Sequence, residues 1–329
     1  MTVALFTLGG TISMAGVAPG GEGVVARLTG RDLTAAVPGL ADLGEDFEIH
    51  DVEAVPSASL TFAQVLDVAA SASRAIEAGA RGVVLSQGTD TLEETAFLVD
   101  LVWAHAEPFV VTGAMRNPTL AGPDGPANLL AAARVAASPA ARELGALVVL
   151  NDEIHAARWA RKQHSTSTAT FGSADAGPLG HVIEGRVRLL TRLLRTQPLP
   201  VPDRDRLGAR RVALHVVSLE DDGDRLDGLA DTHEGLVVAG FGVGHVPAAL
   251  APRLGALAER IPVVLTSRTG GGSVLRHTYG APGSEVDLLR RGLVNGGLLD
   301  PYKARILLRL LLAAGSDRAA IAREFAERG

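Results

Sequence analysis

Residues 86–91 read Ser-Gln-Gly-Thr-Asp-Thr and follow the apolar stretch RGVVL. Three polar side chains, Thr89, Asp90 and Thr91, stand where an extended segment ends and a helical pattern, LEETAFLVDLVW, begins at residue 92. One function of such a group is structural. Thr91 with Glu94 fits a capping box, and Asp90 with Glu93 fits one less typically. One cap needs one side chain, however, and here there are three. A hydroxyl, a carboxylate and the free N–H groups of a helix N-terminus can together supply a nucleophile, its orienting group and an oxyanion site. The stretch alone supports both readings.

A similar group follows the first apolar run, as Thr7-Leu8-Gly9-Gly10-Thr11-Ile12. The paired glycines let backbone approach a ligand closely. No Gly-Lys-Ser/Thr follows, so this is not a phosphate loop, and no G-x-G-x-x-G marks a dinucleotide site here. A threonine hydroxyl attacks only when a base takes its proton. The chain has 31 Lys plus Arg, of which only Lys162 and Lys303 are lysine. Arginine stays protonated in proteins, whereas a desolvated lysine can become a base. Thr89, Lys162 and Asp90 would then form a hydroxyl–amine–carboxylate set with the logic of a serine–histidine–aspartate triad. By composition alone, both lysines are expected on solvated faces.

Other chemistries are narrowed by what the chain contains. There is no cysteine, which removes thiol nucleophiles, thiolate zinc sites and disulfides. The nine histidines are scattered and show no metal-ligand spacing, so no catalytic metal is expected. His245, in GFGVGHVP after an apolar run, is the histidine best placed for a ligand. Tyr279, in HTYGAPGSEVD, has Glu285 close by, and a phenol beside a carboxylate can relay a proton. A net charge of −6 argues against a nucleic-acid surface. The first residues lack a basic n-region and a long apolar h-region, and no apolar stretch approaches the roughly 20 residues of a membrane helix. A cytoplasmic protein, bound neither to membrane nor to nucleic acid, is expected.

The elements that must position these residues are legible as an alternation. Short apolar runs at 3–8, 82–86, 109–113, 146–150, 211–219, 235–241 and 261–267 are separated by helical patterns at 60–78, 92–105, 127–137, 247–259 and 284–292. Continuous apolar strands alternating with helices predict a doubly wound, mostly parallel α/β sheet covered on both faces. Ligands of such sheets bind where strands end and helices begin, which is where the glycines and threonines fall. Residues 194–210, with three prolines, read as a linker between a larger N-terminal domain (1–193) and a smaller α/β domain (211–329). The glycine-rich segment 14–30 reads as a mobile lid. Asp300 and Pro301 predict the start of a helix that stops before Gly315.

Taken together, TLGGTI and SQGTDTLEETAFLVDLV resemble the two threonine signatures of the bacterial-type L-asparaginase/glutaminase family. The likeness continues through VTGAMRNPTLAGPDGPANLLAA, VVLNDEIHAARWARKQHSTSTATFGSADAGPLG and GLLDPYKARILL. The resemblance implies cofactor-free hydrolysis of the side-chain amide of L-asparagine to aspartate and ammonia through a threonine acyl-enzyme. Thr11 matches the first threonine, Thr89 the second, Asp90 its neighbouring aspartate and Lys162 the lysine partner. Ser57 matches the serine that holds the substrate α-carboxylate, and Asp90 would also take the α-ammonium. Gly10 and Gly88 would line the substrate, with the backbone at Ala114 and Thr89 facing the oxyanion. The resemblance further implies a homodimer or homotetramer whose site is shared between subunits, with Glu285 donated by a neighbour.

The chain also departs from the family. Gln87 stands where histidine is more common. Ala58 and Ser59 replace a glutamine and an aspartate after the matched serine, and the C-terminal asparagine-bearing turn reads Gly244-His245-Val246-Pro247. Segment 14–30 has no tyrosine, and Tyr279 is the candidate to replace it. These changes bear on substrate preference. A related amidohydrolase preferring glutamine or another amide, or a non-catalytic amino-acid-binding protein, are the competing readings. A nicotinamide enzyme would rest on GFGVGH alone, which is not G-x-G-x-x-G.

Overall fold

The computed structural model describes residues 2–10, 12, 14–17, 24–26, 29–52 and 54–329. The chain divides into two compact units, Met1–Leu199 and Pro200–Gly329. Thr11 lies outside the described residues, as does part of the segment expected to be a lid.

The first unit is built on strands β1 (Thr2–Thr7), β2 (Met14–Val17), β3 (Val24–Ala26), β4 (Asp46–Asp51), β5 (Val83–Ser86), β6 (Phe109–Thr112), β7 (Ala146–Leu150), β8 (Glu153–Ala156), β9 (Arg161–Lys162), β10 (Phe171–Gly172), β11 (Gly180–Ile183) and β12 (Arg186–Leu189). Its helices are α1 (Gly30–Ala35), α2 (Phe62–Glu77), α3 (Leu92–Val102) and α4 (Gly125–Ala137). Eight strands form one sheet in the order β12-β11-β8-β7-β6-β5-β1-β4. The run from β4 to β7 is parallel, and β8, β11 and β12 extend it antiparallel. The doubly wound, mostly parallel sheet expected from the alternation is therefore present. β2 pairs with β3, and β9 with β10, as separate antiparallel ribbons.

Burial explains why the parallel strands read as unbroken apolar runs. Val3, Leu5, Val84, Val110, Leu147 and Val149 join Leu129, Ala132 and Val135 of α4 in one core. The alternate residues Ala4, Phe6, Val83, Leu85, Phe109 and Val111 are equally buried. A sheet covered on both faces has no polar side. By contrast, β4 mixes exposed and half-buried residues over DFEIHD with none fully buried, and β12 alternates them over RVRL. Edge strands of this kind have no continuous apolar signal, which is why the sequence showed neither.

The second unit carries β13 (Val212–Val216), β14 (Gly235–Gly240), β15 (Val263–Ser267) and β16 (Val294–Asn295) as a four-stranded parallel sheet. Around it lie α5 (Arg204–Ala209), α6 (Leu250–Arg260), α7 (Glu285–Arg290), α8 (Pro301–Ala313) and α9 (Arg318–Arg328). Leu236, Val238, Val263 and Leu265 of the strands pack with Leu250, Leu254 and Leu288 of α6 and α7. Helix α5 falls within the stretch expected as a linker, and the Asp203 carboxylate accepts the Asp205 and Arg206 N–H groups at its start. Helix α8 begins as expected, with Asp300 accepting from the Tyr302 and Lys303 N–H groups and Pro301 in the first turn. Lys303 is buried, 3.3 Å from the Asp300 carboxylate, rather than on a solvated face.

Candidate active site

The strand register sets the site. Thr7 of β1 lies opposite Ser86 of β5, and Ser86 lies opposite Thr112 of β6, so three neighbouring parallel strands end in one row. The chain leaves this row through glycines that permit close approach. Gly10 has φ +92°, and a Cβ built on it would fall 2.2 Å from the Gly88 nitrogen. Backbone thus rests on backbone where the two threonine-bearing turns meet. A Cβ on Gly88 would lie 2.6 Å from Ser57 Oγ, and one on Gly113 would lie 2.6 Å from the Gln87 carbonyl oxygen. Segments 8–10, 57–59, 87–91 and 113–115 are thereby gathered at the carboxyl ends of the central strands.

Within this cluster Lys162 Nζ donates to Thr89 Oγ1 at 2.9 Å and lies 3.3 Å from Asp90 Oδ1. Thr89 is buried, with 6% of its surface exposed. The Lys162 side chain is 19% exposed and that of Asp90 65%. Sequence could not show that these residues meet. The meeting depends on the β9–β10 hairpin and on Glu93, whose carboxylate accepts the Lys162 backbone N–H. Lys162, too, is held at a defined place rather than on a solvated face.

Neither capping box forms. Helix α3 starts at Thr91 without any side-chain cap. The Thr91 hydroxyl donates instead to the Ser57 carbonyl at 2.8 Å. The Asp90 N–H donates to Ser57 Oγ at 3.2 Å, and that hydroxyl lies 3.4 Å from Asp90 Oδ2. Ser57 is buried in a short 3-10 turn, Ser57–Ser59, with Ala58 exposed beside it. The polar side chains of 89–91 therefore point across the turns and not back onto their own helix.

Four residues escaped the sequence reading. By sequence Glu93 is only the capping-box partner of Asp90, yet its carboxylate accepts the Lys162 N–H. Asp124, preceding Gly-Pro, has the signature of an N-cap, yet it accepts the Met115 N–H at 3.0 Å and the Arg116 N–H at 2.8 Å. Asn128 donates to the Gly113 carbonyl at 2.9 Å. Together Asp124 and Asn128 hold segment 113–116, with buried Ala114, against the end of β6. Met115 reaches Thr89 itself, since Thr89 Oγ1–H donates to its Sδ at 3.4 Å.

Residues 2–195 match the family Asparaginase, N-terminal, and residues 211–325 match the Glutaminase/Asparaginase C-terminal domain. The chain belongs to the asparaginase family. A Probable L-asparaginase of Deinococcus radiodurans is 34% identical over 326 residues, covering 99% of this chain and 97% of that relative. An L-asparaginase of Bacillus licheniformis is 32% identical, covering 95% of each. The crystal structure of a Probable Cytoplasmic L-asparaginase from Campylobacter jejuni superposes with a TM-score of 0.86 at 29% identity, covering 99% of both chains.

The two remaining site candidates lie in the second unit of this asparaginase-family chain. Glu285 is fully buried at the start of α7. Its Oε1 accepts the N–H groups of Thr278 (3.0 Å) and Tyr279 (2.7 Å), and its Oε2 lies 3.1 Å from His245 Nε2. Burial works against the charged carboxylate, but the donors from Tyr279, its own backbone, Thr278 and His245 outweigh it and lower the pKa. Tyr279 thus meets Glu285 through its backbone N–H and not through its phenol, which corrects the expected phenol–carboxylate pair. The ring stands edge-on to His245 at 5.0 Å. Among the described residues no group of three or more His, Asp or Glu could hold a metal ion, and no helix is long and apolar enough to cross a membrane.

Proposed function

We propose that this protein is an L-asparaginase that hydrolyses the side-chain amide of L-asparagine to aspartate and ammonia through a threonine acyl-enzyme. The observation that carries the reading is the buried Thr89 hydroxyl 2.9 Å from Lys162 Nζ, with Asp90 3.3 Å from the same amine. The family matches and the likeness to proteins named L-asparaginase support the substrate.

In this reading Thr11 attacks the amide carbon, on the turn whose Gly10 rests against Gly88. The N–H groups at Ala114 and Thr89 face the oxyanion, where preorganised donors act most strongly. Ser57 binds the substrate α-carboxylate and Asp90 the α-ammonium. Asp90, 3.3 Å from the Lys162 amine, orients Lys162. Lys162 then exchanges a proton with Thr89, and Thr89 passes it on the path to the departing ammonia. Water hydrolyses the acyl-enzyme by the same relay.

The asparagine-over-glutamine preference, a cytoplasmic location and assembly into a dimer or tetramer belong to the same proposal. The Campylobacter relative named cytoplasmic supports the location. The family resemblance supports a shared site with Glu285 from a neighbouring copy. Ammonia release measured with asparagine and glutamine side by side is the primary test. Turnover of asparagine is expected. Faster turnover of glutamine identifies the related amidohydrolase, and aspartate binding with no ammonia from either amide identifies a binding protein.

A further inference from the structure

The thioether of Met115 is the residue in the site whose chemistry the reaction does not use. Its sulfur takes the Thr89 hydroxyl proton at 3.4 Å while Lys162 Nζ donates to the same oxygen at 2.9 Å. A thioether is a weak acceptor, so the proton is lightly held and free to move. The Met115 backbone is pinned, because its N–H meets both Asp124 oxygens at 3.0 and 3.1 Å. Met115 is half-buried and not sealed in the core. The chain has no cysteine to be oxidised first, and its three methionines are Met1, Met14 and Met115.

We propose, resting on the role given above to Thr89, that Met115 is an oxidation site through which peroxides switch the enzyme off. In the step a sulfur lone pair attacks one peroxide oxygen and forms an S–O bond. The O–O bond breaks and water leaves, so methionine loses two electrons and the peroxide gains them. The product sulfoxide is polar and chiral, and its oxygen is a strong acceptor. Placed beside Thr89, that oxygen holds the hydroxyl proton that Lys162 must share, and it crowds a buried side chain. Reduction by methionine sulfoxide reductases restores the thioether.

The test treats the purified protein with hydrogen peroxide and follows asparagine turnover against the fraction of Met115 sulfoxide, read by peptide mass. Activity is expected to fall in proportion to that fraction. Full conversion is expected to cost on the order of a hundredfold in kcat, the scale of an ångström-sized misplacement in an active site. Sulfoxide reductase treatment is expected to recover the loss. Met115→Leu, compared with its own untreated sample, is expected to resist peroxide, while Met14→Leu remains sensitive. Undiminished turnover at full Met115 oxidation overturns the proposal, as does equal peroxide loss in Met115→Leu. Should Met115→Leu not fold, the proportionality in the wild-type chain decides alone. An untreated protein that releases no ammonia defeats the functional reading and this control with it; an active protein whose peroxide sensitivity ignores Met115 defeats only the control.

Discussion

Thr89 and Lys162 stand 73 residues apart in the chain, and their side chains meet at 2.9 Å. The contact joins the end of a central parallel strand to a two-residue strand in a separate ribbon. Both ends are fixed. Thr89 is held by the Gly10–Gly88 backbone contact, and Lys162 by the Glu93 carboxylate on its N–H.

If this pair moves a proton, its members differ in what can replace them. Thr89→Val keeps the shape and removes the hydroxyl, and is expected to cost several orders of magnitude in kcat, as losing a triad member does. Lys162→Arg keeps positive charge but cannot act as a base. It is expected to be nearly as damaging as Lys162→Ala. Steady-state kinetics on folded variants check this, and full activity in Lys162→Arg would reduce the lysine to a fixed charge.

The contact between the two turns predicts a sharp asymmetry among glycines. Gly10→Ala places a methyl 2.2 Å from a backbone nitrogen at a φ of +92°, so both space and conformation oppose it. A loss of about 1–3 kcal/mol or more of stability, with loss of turnover, is expected. Gly280→Ala meets nothing within 4 Å and has no left-handed φ, so it is expected to be nearly neutral. Thermal melting of the two variants gives the comparison.

His155 makes stability depend on pH near neutrality. Its Nε2 lies 3.1 Å from the Glu153 carboxylate and its Nδ1 lies 3.0 Å from Ser173 Oγ. A carboxylate only accepts, so in the neutral ring Nε2 carries the proton and Nδ1 accepts from the serine. Burial lowers the histidine pKa below its ordinary 6.5, and the nearby Glu153 charge only partly opposes this. The unfolded chain therefore takes up a proton first as pH falls. Stability present above 6.5 is lost as pH drops toward and through the folded value. His155→Gln is expected to flatten the fall in melting temperature between about pH 6.5 and 5.

Glu285 acts in a more acidic window. Its pKa is lowered from an ordinary 4.5, because three backbone donors and His245 together outweigh the opposing effect of burial. Its contribution is present above 4.5 and is lost as pH falls through the lower folded value. Glu285→Gln, which keeps a carbonyl for the Thr278 and Tyr279 N–H groups, is expected to weaken the acid dependence of melting below pH 4.5. Melting curves of variant and wild type that stay parallel through that range would remove Glu285 as the cause.

Much of the architecture was legible because burial writes itself locally. Val83–Ser86, Phe109–Thr112 and Ala146–Leu150 are covered on both faces, so each is an unbroken apolar run. Asp300 and Pro301 mark a helix start by backbone chemistry alone. The strands β4 and β12 were not legible, because half of each faces outward and its polar residues resemble loop. Helix α5 was hidden by its proline-rich surroundings. The residues of the site were recognisable by type, but the stretch 89–91 fits a helix cap as well as a catalytic group, and Tyr279 beside Glu285 fits a phenol relay. Local rules assign a side chain to its nearest backbone partner, and here Ser57, Lys162 and Glu285 arrive from elsewhere and change the partner.

The class of sheet, the ends of its buried strands, the lack of cysteine and the set of polar residues able to act on an amide can be read from the chain alone. These follow from composition and short-range periodicity, which every residue carries with it. Folding was needed to bring Lys162 to Thr89, to hand the hydroxyl of Thr91 to the Ser57 carbonyl, and to set the described Met115 sulfur against the same oxygen as the lysine. Those contacts join segments dozens of residues apart, and their geometry is set by strand register and by glycines that let two backbones touch.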